Sequence, residues 1–369
     1  MEIIRYGSNF KGCDFVVKFD KSRKNTKIKI LQITDMQFID SLQARTPDRL
    51  RIDEINAWHP DNFDIQGGNQ IKSLIAQSKP DLIIITGDII YGSFDDNGTV
   101  IKRFCNFMDQ FAIPWAPVFG NHDNESKMGV KYQCDMFENS KYCLFKRGNV
   151  TGNGNYTVGI AIDNELIRVL HMLDSNGCYS DDKEVVCDRG IYPDQIQMVK
   201  ENTELITSTQ GKIVPAFMAF HIPTEEFREA EVSRGYSTDG KATFVIGVDV
   251  EQKGNDFGCK MEPLNLAKNK TDFLNDAKEC NVDGVFCGHY HKNSTCVEYE
   301  GIKWTFGLKT GQYDYHTPGQ FGGTLITLEG TEFYVNHLPA LTPLAPYPGG
   351  AEMFRGMFAN DKEIEKNDK

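Results

Sequence analysis

The chain has 369 residues, 40% of them apolar and 25% charged, with a formal net charge of −12 and a pI near 5.2. That length is enough to bury a large α/β core. An acidic balance of this size excludes a nucleic-acid footprint built from the protein's own surface, and no stretch approaches the roughly twenty apolar residues of a membrane span.

Met1-Glu2-Ile3-Ile4-Arg5 lacks the basic, apolar and small-residue succession of a signal peptide. Ten cysteines, none in a Cys-x-x-Cys pair, and acceptor sequons at Asn97, Asn124, Asn149, Asn155, Asn269 and Asn293 still tilt the expected compartment toward secreted or lysosomal over cytoplasmic. Cys287, inside an apolar run, reads as a free buried thiol. Residues 28–34 are a β-rich run ending at Asp35, and the stretch from there to Pro60 reads as loops with a short helix. Residues 70–78 carry helical signals and stop at Pro80. Residues 81–86 form a short apolar run, the mark of a central parallel strand, with Gly87-Asp88 at its carboxyl end.

The pattern repeats. Residues 99–111 put apolar side chains at 100, 101, 104, 107, 108 and 111 on one helix face, and 115–119 is a strand running into Gly120-Asn121-His122-Asp123. A hairpin is expected from 156–162 and 166–173, and Pro193 opens a helix. Residues 213–220 are a strand ending at His221; 271–280 are a helix; 284–287 are a strand ending at Gly288-His289-Tyr290-His291. Strands at 304–307, 324–327 and 332–335 complete the sheets. With no linker between the first and last of these fragments, residues 1–350 are expected to form one domain with an N-terminal β extension, and 351–369 a charged tail.

Successive parallel strands deliver their following loops to one sheet edge. Asp35, Asp88, Asn121, His221, His289 and His291 are therefore oxygen and imidazole donors that the topology can gather. Each has an ordinary reading alone: a helix cap for either aspartate, a hydrogen-bonded residue for His221, a turn for the His289 pair. Jointly they suit two metal ions, which at about 3.5–4 Å apart activate a hydroxide and neutralise the phosphoryl oxygens it attacks. His171 reads as structural, and His59 and His337 as incidental; His316, in an aromatic loop, is a substrate-pocket candidate. No arginine stands out as a phosphate clamp.

The fragments Gly87-Asp88, Gly120-Asn121-His122-Asp123, His221 and Gly288-His289-Tyr290-His291 resemble the calcineurin-like metallophosphoesterase superfamily. Further stretches, at 171–175, 191–196, 221–227 and 311–319, are similar to the purple acid phosphatase-like group that includes fungal dosage-dependent cell-cycle regulator phosphatases and short plant enzymes. The resemblance implies a four-layer sandwich: two central mixed β-sheets flanked by helices. It implies that Asp35 and His291 hold metal one, that Asp88 bridges, and that Asn121, His221 and His289 hold metal two.

Gln37 departs from the pattern by replacing the usual histidine of the first motif. Either Gln37 offers its amide oxygen, directly or through water, or Tyr91, matching the Asp-x-x-Tyr of true purple acid phosphatases, binds as tyrosinate. The latter would favour Fe(III), paired with Fe(II), Zn or Mn. His122 is the candidate proton donor to the leaving oxygen; Asp123 either orients its ring or caps the next turn. The expected function is a phosphoric monoester hydrolase acting by metal-bound hydroxide on a small phosphate ester or a phosphoprotein. A phosphodiesterase and a non-catalytic phosphate-binding protein are the alternatives.

Overall fold

The computed structural model describes residues 1–5, 9–23, 26–40, 67–95, 97–178, 183–236, 256–311 and 320–340. The loop-and-helix expectation from residue 41 to Pro60, with His59, lies outside these residues, as do His316 with its aromatic loop and the 351–369 tail.

Two sheets form the centre. The smaller runs β13 (Glu332–Pro339), β12 (Gly322–Glu329), β3 (Ile28–Ile33), β4 (Leu82–Thr86), β5 (Trp115–Val118). The larger runs β1 (Glu2–Arg5), β2 (Phe15–Phe19), β6 (Tyr156–Ile162), β7 (Glu165–Met172), β8 (Ala216–Ala219), β9 (Val282–Cys287), β11 (Ile302–Phe306), β10 (Cys296–Tyr299). Both are mixed: β3, β4 and β5 are mutually parallel, as are β7, β8, β9 and β11, while β12 and β13 add antiparallel pairs. Every residue of β4 is buried, as a strand covered on both faces must be, and this is why its sequence is apolar without alternation.

One core cluster draws on both sheets, with Val17, Ile160 and Phe286 from the larger and Ile30, Ile83 and Ile326 from the smaller. The same cluster reaches α1 (Gly68–Ser78), α2 (Thr99–Asp109) and α3 (Gly129–Asn139) through Ile71, Phe104 and Phe137. A second cluster packs the other face of the larger sheet against α4 (Pro193–Gln210), α5 (Glu225–Ser233) and α6 (Phe273–Glu279). The layers are thus helix, sheet, sheet, helix. Among the described residues no helix is long and apolar enough to cross a membrane.

Cys287 is a buried free thiol, and all ten cysteines are unbridged; the sulfurs of Cys178 and Cys187 lie 2.8 Å apart. Three sequon asparagines, Asn124, Asn155 and Asn293, are buried and have no room for a glycan in this fold.

His171 is structural. It lies on β7, almost fully buried, with Nδ1 3.1 Å from Thr157 Oγ1, which itself accepts from Asn202 Nδ2 at 3.0 Å. The Thr157 hydroxyl can donate its proton to Nδ1 of a neutral ring, the form that burial favours. Burial pushes its pKa down from 6.5 to about 4. A folded pKa below the unfolded one means the stabilisation is complete above pH 6.5 and is lost as pH falls toward 4. This loss amounts to at most about 3 kcal/mol. Urea titrations at pH 7, 5.5 and 4 should show His171→Gln losing less stability than the parent across that window. Parallel pH curves would refute the assignment.

Candidate metal centre

Every candidate ligand follows a strand at the same edge: Asp35 after β3, Asp88 after β4, Asn121 and His122 after β5, His221 after β8, His289 and His291 after β9. The two sheets are sewn together there. Gln32 on β3 donates through Nε2 to Thr86 Oγ1 (2.9 Å) and across to the Cys287 carbonyl on β9 (3.0 Å), and Thr310 N, beyond β11, donates to the Thr34 carbonyl.

The motif glycines are explained by crowding. A Cβ on Gly120 would lie 2.1 Å from Asp88 Oδ1, and one on Gly288 would lie 2.1 Å from Thr34 Oγ1 and 2.6 Å from Asp35 Oδ2. Asp35, Gln37, Asp88 and His289 all have positive φ, between 49° and 75°, a region costly for non-glycine residues and one that concentrates at functional sites.

Asp35, Asp88 and His221 bring one donor atom each within 4.8 Å of one another, all buried. His291 Nε2 stands 3.3 Å from Asp35 Oδ1, and His221 Nε2 3.3 Å from Asp88 Oδ2. His289 sits at the rim, its ring 5.1 Å from that of His221, and its N–H donates to both oxygens of Asp35. Asn121 lies on the loop between Gly120 and His122, with its Oδ1 buried.

Two observations test whether a cation fits. His221 Nδ1 is 2.7 Å from the Thr86 carbonyl, which can only accept, so Nδ1 carries the proton and Nε2 presents a lone pair. That Nε2 and Asn121 Oδ1 are both buried with no hydrogen-bond partner among the described residues. Unpaired buried acceptors are costly, and a cation satisfies both at once. The donor set of carboxylate, amide and imidazole admits Zn, Fe or Mn.

The electrostatics agree. Burial alone would raise Asp35, but its contact with His291 and the charge on His221 bring it down to about 2. Asp88 is likewise held well below the carboxylate range against its burial by His221 and His122. Burial would lower His221, yet the Asp88 charge lifts it to about 9. That lift marks a pocket beside Asp88 that attracts positive charge. Burial and the His221 charge push His289 well below 6.5, leaving it neutral as a ligand must be.

Two expected roles are corrected. Asp123 does not orient His122: its carboxylate accepts the backbone N–H groups of Ile90 (3.0 Å) and Gly120 (2.7 Å), bracing the Asn121 loop, and burial with the Asp88 charge raises it to about 7. Glu125 meets the ring instead, with Oε2 3.0 Å from His122 Nδ1 and 2.7 Å from Ser93 Oγ. Gln37 does not turn its amide oxygen inward, because that oxygen accepts from the buried Lys309 ammonium at 3.0 Å. Tyr91 stacks its ring on that of His122, with centroids 4.4 Å apart and planes 25° from parallel.

Glu125, Lys309 and Arg189 are not singled out by sequence reasoning. Glu125 stands three residues past His122, a spacing that brings side chains together in a helical turn and could have found it. Lys309 has no local signal. The Arg189 guanidinium is close enough to His289 to contribute to lowering it. The stretches at 171–175 and 191–196 form a buttress: Gln195 Nε2 donates to Asn155 Oδ1 and to the Asp174 carbonyl, and Ile222 N donates to Ser175 Oγ, fixing the loop that carries His221.

A profile of the family described as calcineurin-like phosphoesterase matches residues 28–293. The chain is 25% identical over 320 residues to the Arabidopsis thaliana protein named "Probable inactive purple acid phosphatase 29", covering 81% of this chain and 75% of that one. It is 26% identical over 282 residues to the Saccharomyces cerevisiae protein named "Phosphatase DCR2", covering 73% of this chain and 45% of that one. Of solved structures, a dimetal phosphatase from Danio rerio is 12% identical with a TM-score of 0.45, covering 84% of this chain and 95% of that one.

Proposed function

Because the chain belongs to the calcineurin-like phosphoesterase family, we propose that it is a metal-dependent phosphoric monoester hydrolase, with the ester bound at the edge where the two sheets meet. The observation that carries this reading is the pair of buried acceptors, Asn121 Oδ1 and His221 Nε2, without hydrogen-bond partners among the described residues, the latter beside Asp88. A protein that had abandoned cation binding would gain by replacing both with groups that have partners.

In this reading Asp88 would serve both cations, Asp35 and His291 the first, and Asn121, His221 and His289 the second. When bound, the cations would acidify a water and neutralise charge on the phosphoryl oxygens. The residues do the rest. Asp123 holds the Asn121 loop through two backbone N–H groups. His122 protonates the leaving oxygen, with Glu125 holding the proton on Nδ1 and stabilising the imidazolium, Ser93 orienting Glu125, and Tyr91 buttressing the ring face. Arg189 attracts the dianion of a monoester at the rim.

This division of labour predicts a leaving-group signature. His122→Ala should cost roughly 10²–10⁴-fold in kcat/KM on an alkyl phosphate, and under about tenfold on a nitrophenyl phosphate, whose leaving group needs no proton. Equal losses on both would remove His122 from that role.

The plant relatives' names include the word "inactive", which favours a binding protein as the second reading. Hydrolysis of aryl phosphate and bis-aryl phosphate, assayed before and after chelation, tests the choice. Chelator-sensitive preference for the monoester supports the proposal; a tenfold preference for the diester makes it a phosphodiesterase. A folded, metal-loaded chain inert on both is a binding protein.

A further inference from the structure

Lys309 lies three residues beyond β11 and is 1% exposed. Its ammonium donates to the Asp35 carbonyl at 2.7 Å and to Gln37 Oε1 at 3.0 Å. An ammonium has donors and no acceptor, so only the oxygen of the Gln37 amide can face it. The amide orientation is thereby fixed, and Gln37 Nε2 is left pointing at Asp88 Oδ2, 3.4 Å away. An amide NH₂ has no lone pair to offer a metal. At the position where the family motif places an imidazole ligand, this chain presents a hydrogen-bond donor, backed by a buried positive charge. Gln37 itself is fully buried and held by its backbone N–H on the Asp88 carbonyl at 2.9 Å, so it cannot swing aside.

The contrast with the other cation position is direct. There, Asn121 Oδ1 and His221 Nε2 are buried acceptors without partners among the described residues, facing Asp88 and with His289 alongside. At the first position the corresponding acceptor is already satisfied by Lys309. A second cation arriving there finds Asp35, Asp88 and His291, and is repelled by an ammonium that shares Asp35 and Gln37 with it.

We propose that the two cation positions are unequal by construction: Lys309, acting through Gln37, stands in for part of the charge of the first cation, so that the chain binds one divalent transition-metal ion tightly at the Asn121–His221–His289 position and a second at least about 100-fold more weakly. The inference rests on the phosphoesterase reading of the site but concerns binding, so it is testable without turnover. Lys309 is a positioning residue in this scheme, and Gln37 the group it positions.

The experiment is equilibrium dialysis and calorimetry of the full chain, stripped with dipicolinate and titrated with Zn(II), alongside Lys309→Met, Gln37→His and the double variant. The unaltered chain should bind one ion tightly and a second at least about 100-fold more weakly. The double variant should bring the two affinities within about tenfold, and Lys309→Met alone should tighten the weaker site by freeing the amide to rotate. Mn(II) titration with electron paramagnetic resonance adds a signature that a merely structural lysine would not move: spin–spin coupling between two ions in the double variant at concentrations where the parent shows an isolated ion. Two ions of matching affinity in the parent would overturn the inference while leaving the phosphoesterase reading intact. A folded parent that binds no ion at all would overturn both. Should a variant not fold, the parent's own stoichiometry still decides the matter.

Discussion

Replacing Asp88 with asparagine should abolish tight cation binding and lower kcat/KM on a phosphate monoester by roughly 10³-fold or more, about 4 kcal/mol of transition-state stabilisation. The substitution keeps shape and removes charge. Asp88 Oδ1 accepts the His122 N–H at 2.9 Å, and Oδ2 faces both His221 Nε2 and Gln37 Nε2. The substituted amide could retain the first contact with its oxygen and direct its NH₂ toward the His221 lone pair, so the stripped Asp88→Asn chain should melt within a few degrees of the parent or above it. Metal content, kinetics and melting in chelator measure the three quantities separately. Activity within tenfold of the parent would remove Asp88 from the centre, whereas a collapse in melting temperature without metal would reassign it to the scaffold.

Gly120→Ala should be the most damaging single-methyl change at the site, costing about 3 kcal/mol or more in stability and displacing Asp88 with it. Its Cβ would sit 2.1 Å from Asp88 Oδ1 and 2.4 Å from Asp88 N; one of these atoms is backbone, and the other belongs to the buried Asp88 carboxylate. Relief requires moving the β4 loop away from the β5 loop, which pulls the ligands apart. Gly211 provides the comparison. It ends α4 with φ +66° and has no atom within 4 Å of an added Cβ, so Gly211→Ala pays only for left-handed backbone, roughly 1–2 kcal/mol, and leaves cation affinity unchanged. Paired urea melts and Zn(II) titrations distinguish crowding from backbone cost. Equal penalties in the two variants would mean that the β4 and β5 loops can part without consequence.

The layered fold, and the gathering of most candidate ligands at one sheet edge, were legible because they depend on local pattern. An apolar run such as 82–86 announces a strand buried on both faces, and its following Asp88 is delivered to the shared edge by topology alone. Elements without a clean period were not legible. In α5, Glu226 and Glu231 are buried beside Phe227 and Ala230, so the sequence looks like a charged surface. Glu231 is satisfied by Lys260 and by Thr295 Oγ1 at 2.9 Å, partners 29 and 64 residues away. The same limit hid the site's chemistry. That Gln37 is a donor follows from Lys309, 272 residues later, and no spacing rule connects them. Asp123 and Glu125 are both acidic and both near His122; only the path of the short turn at Asp123–Glu125 decides which reaches the ring.

The seam between the sheets has a thermodynamic consequence. Asp35, Asp88 and Asn121 come from one sheet and His221, His289 and His291 from the other, so an ion seated among them acts as a rivet through two plates. Unfolded chain cannot assemble that set, and an ion that binds only the folded form shifts the folding equilibrium in proportion to the logarithm of its free concentration. The fraction of chains that is folded then becomes a gauge of local metal supply.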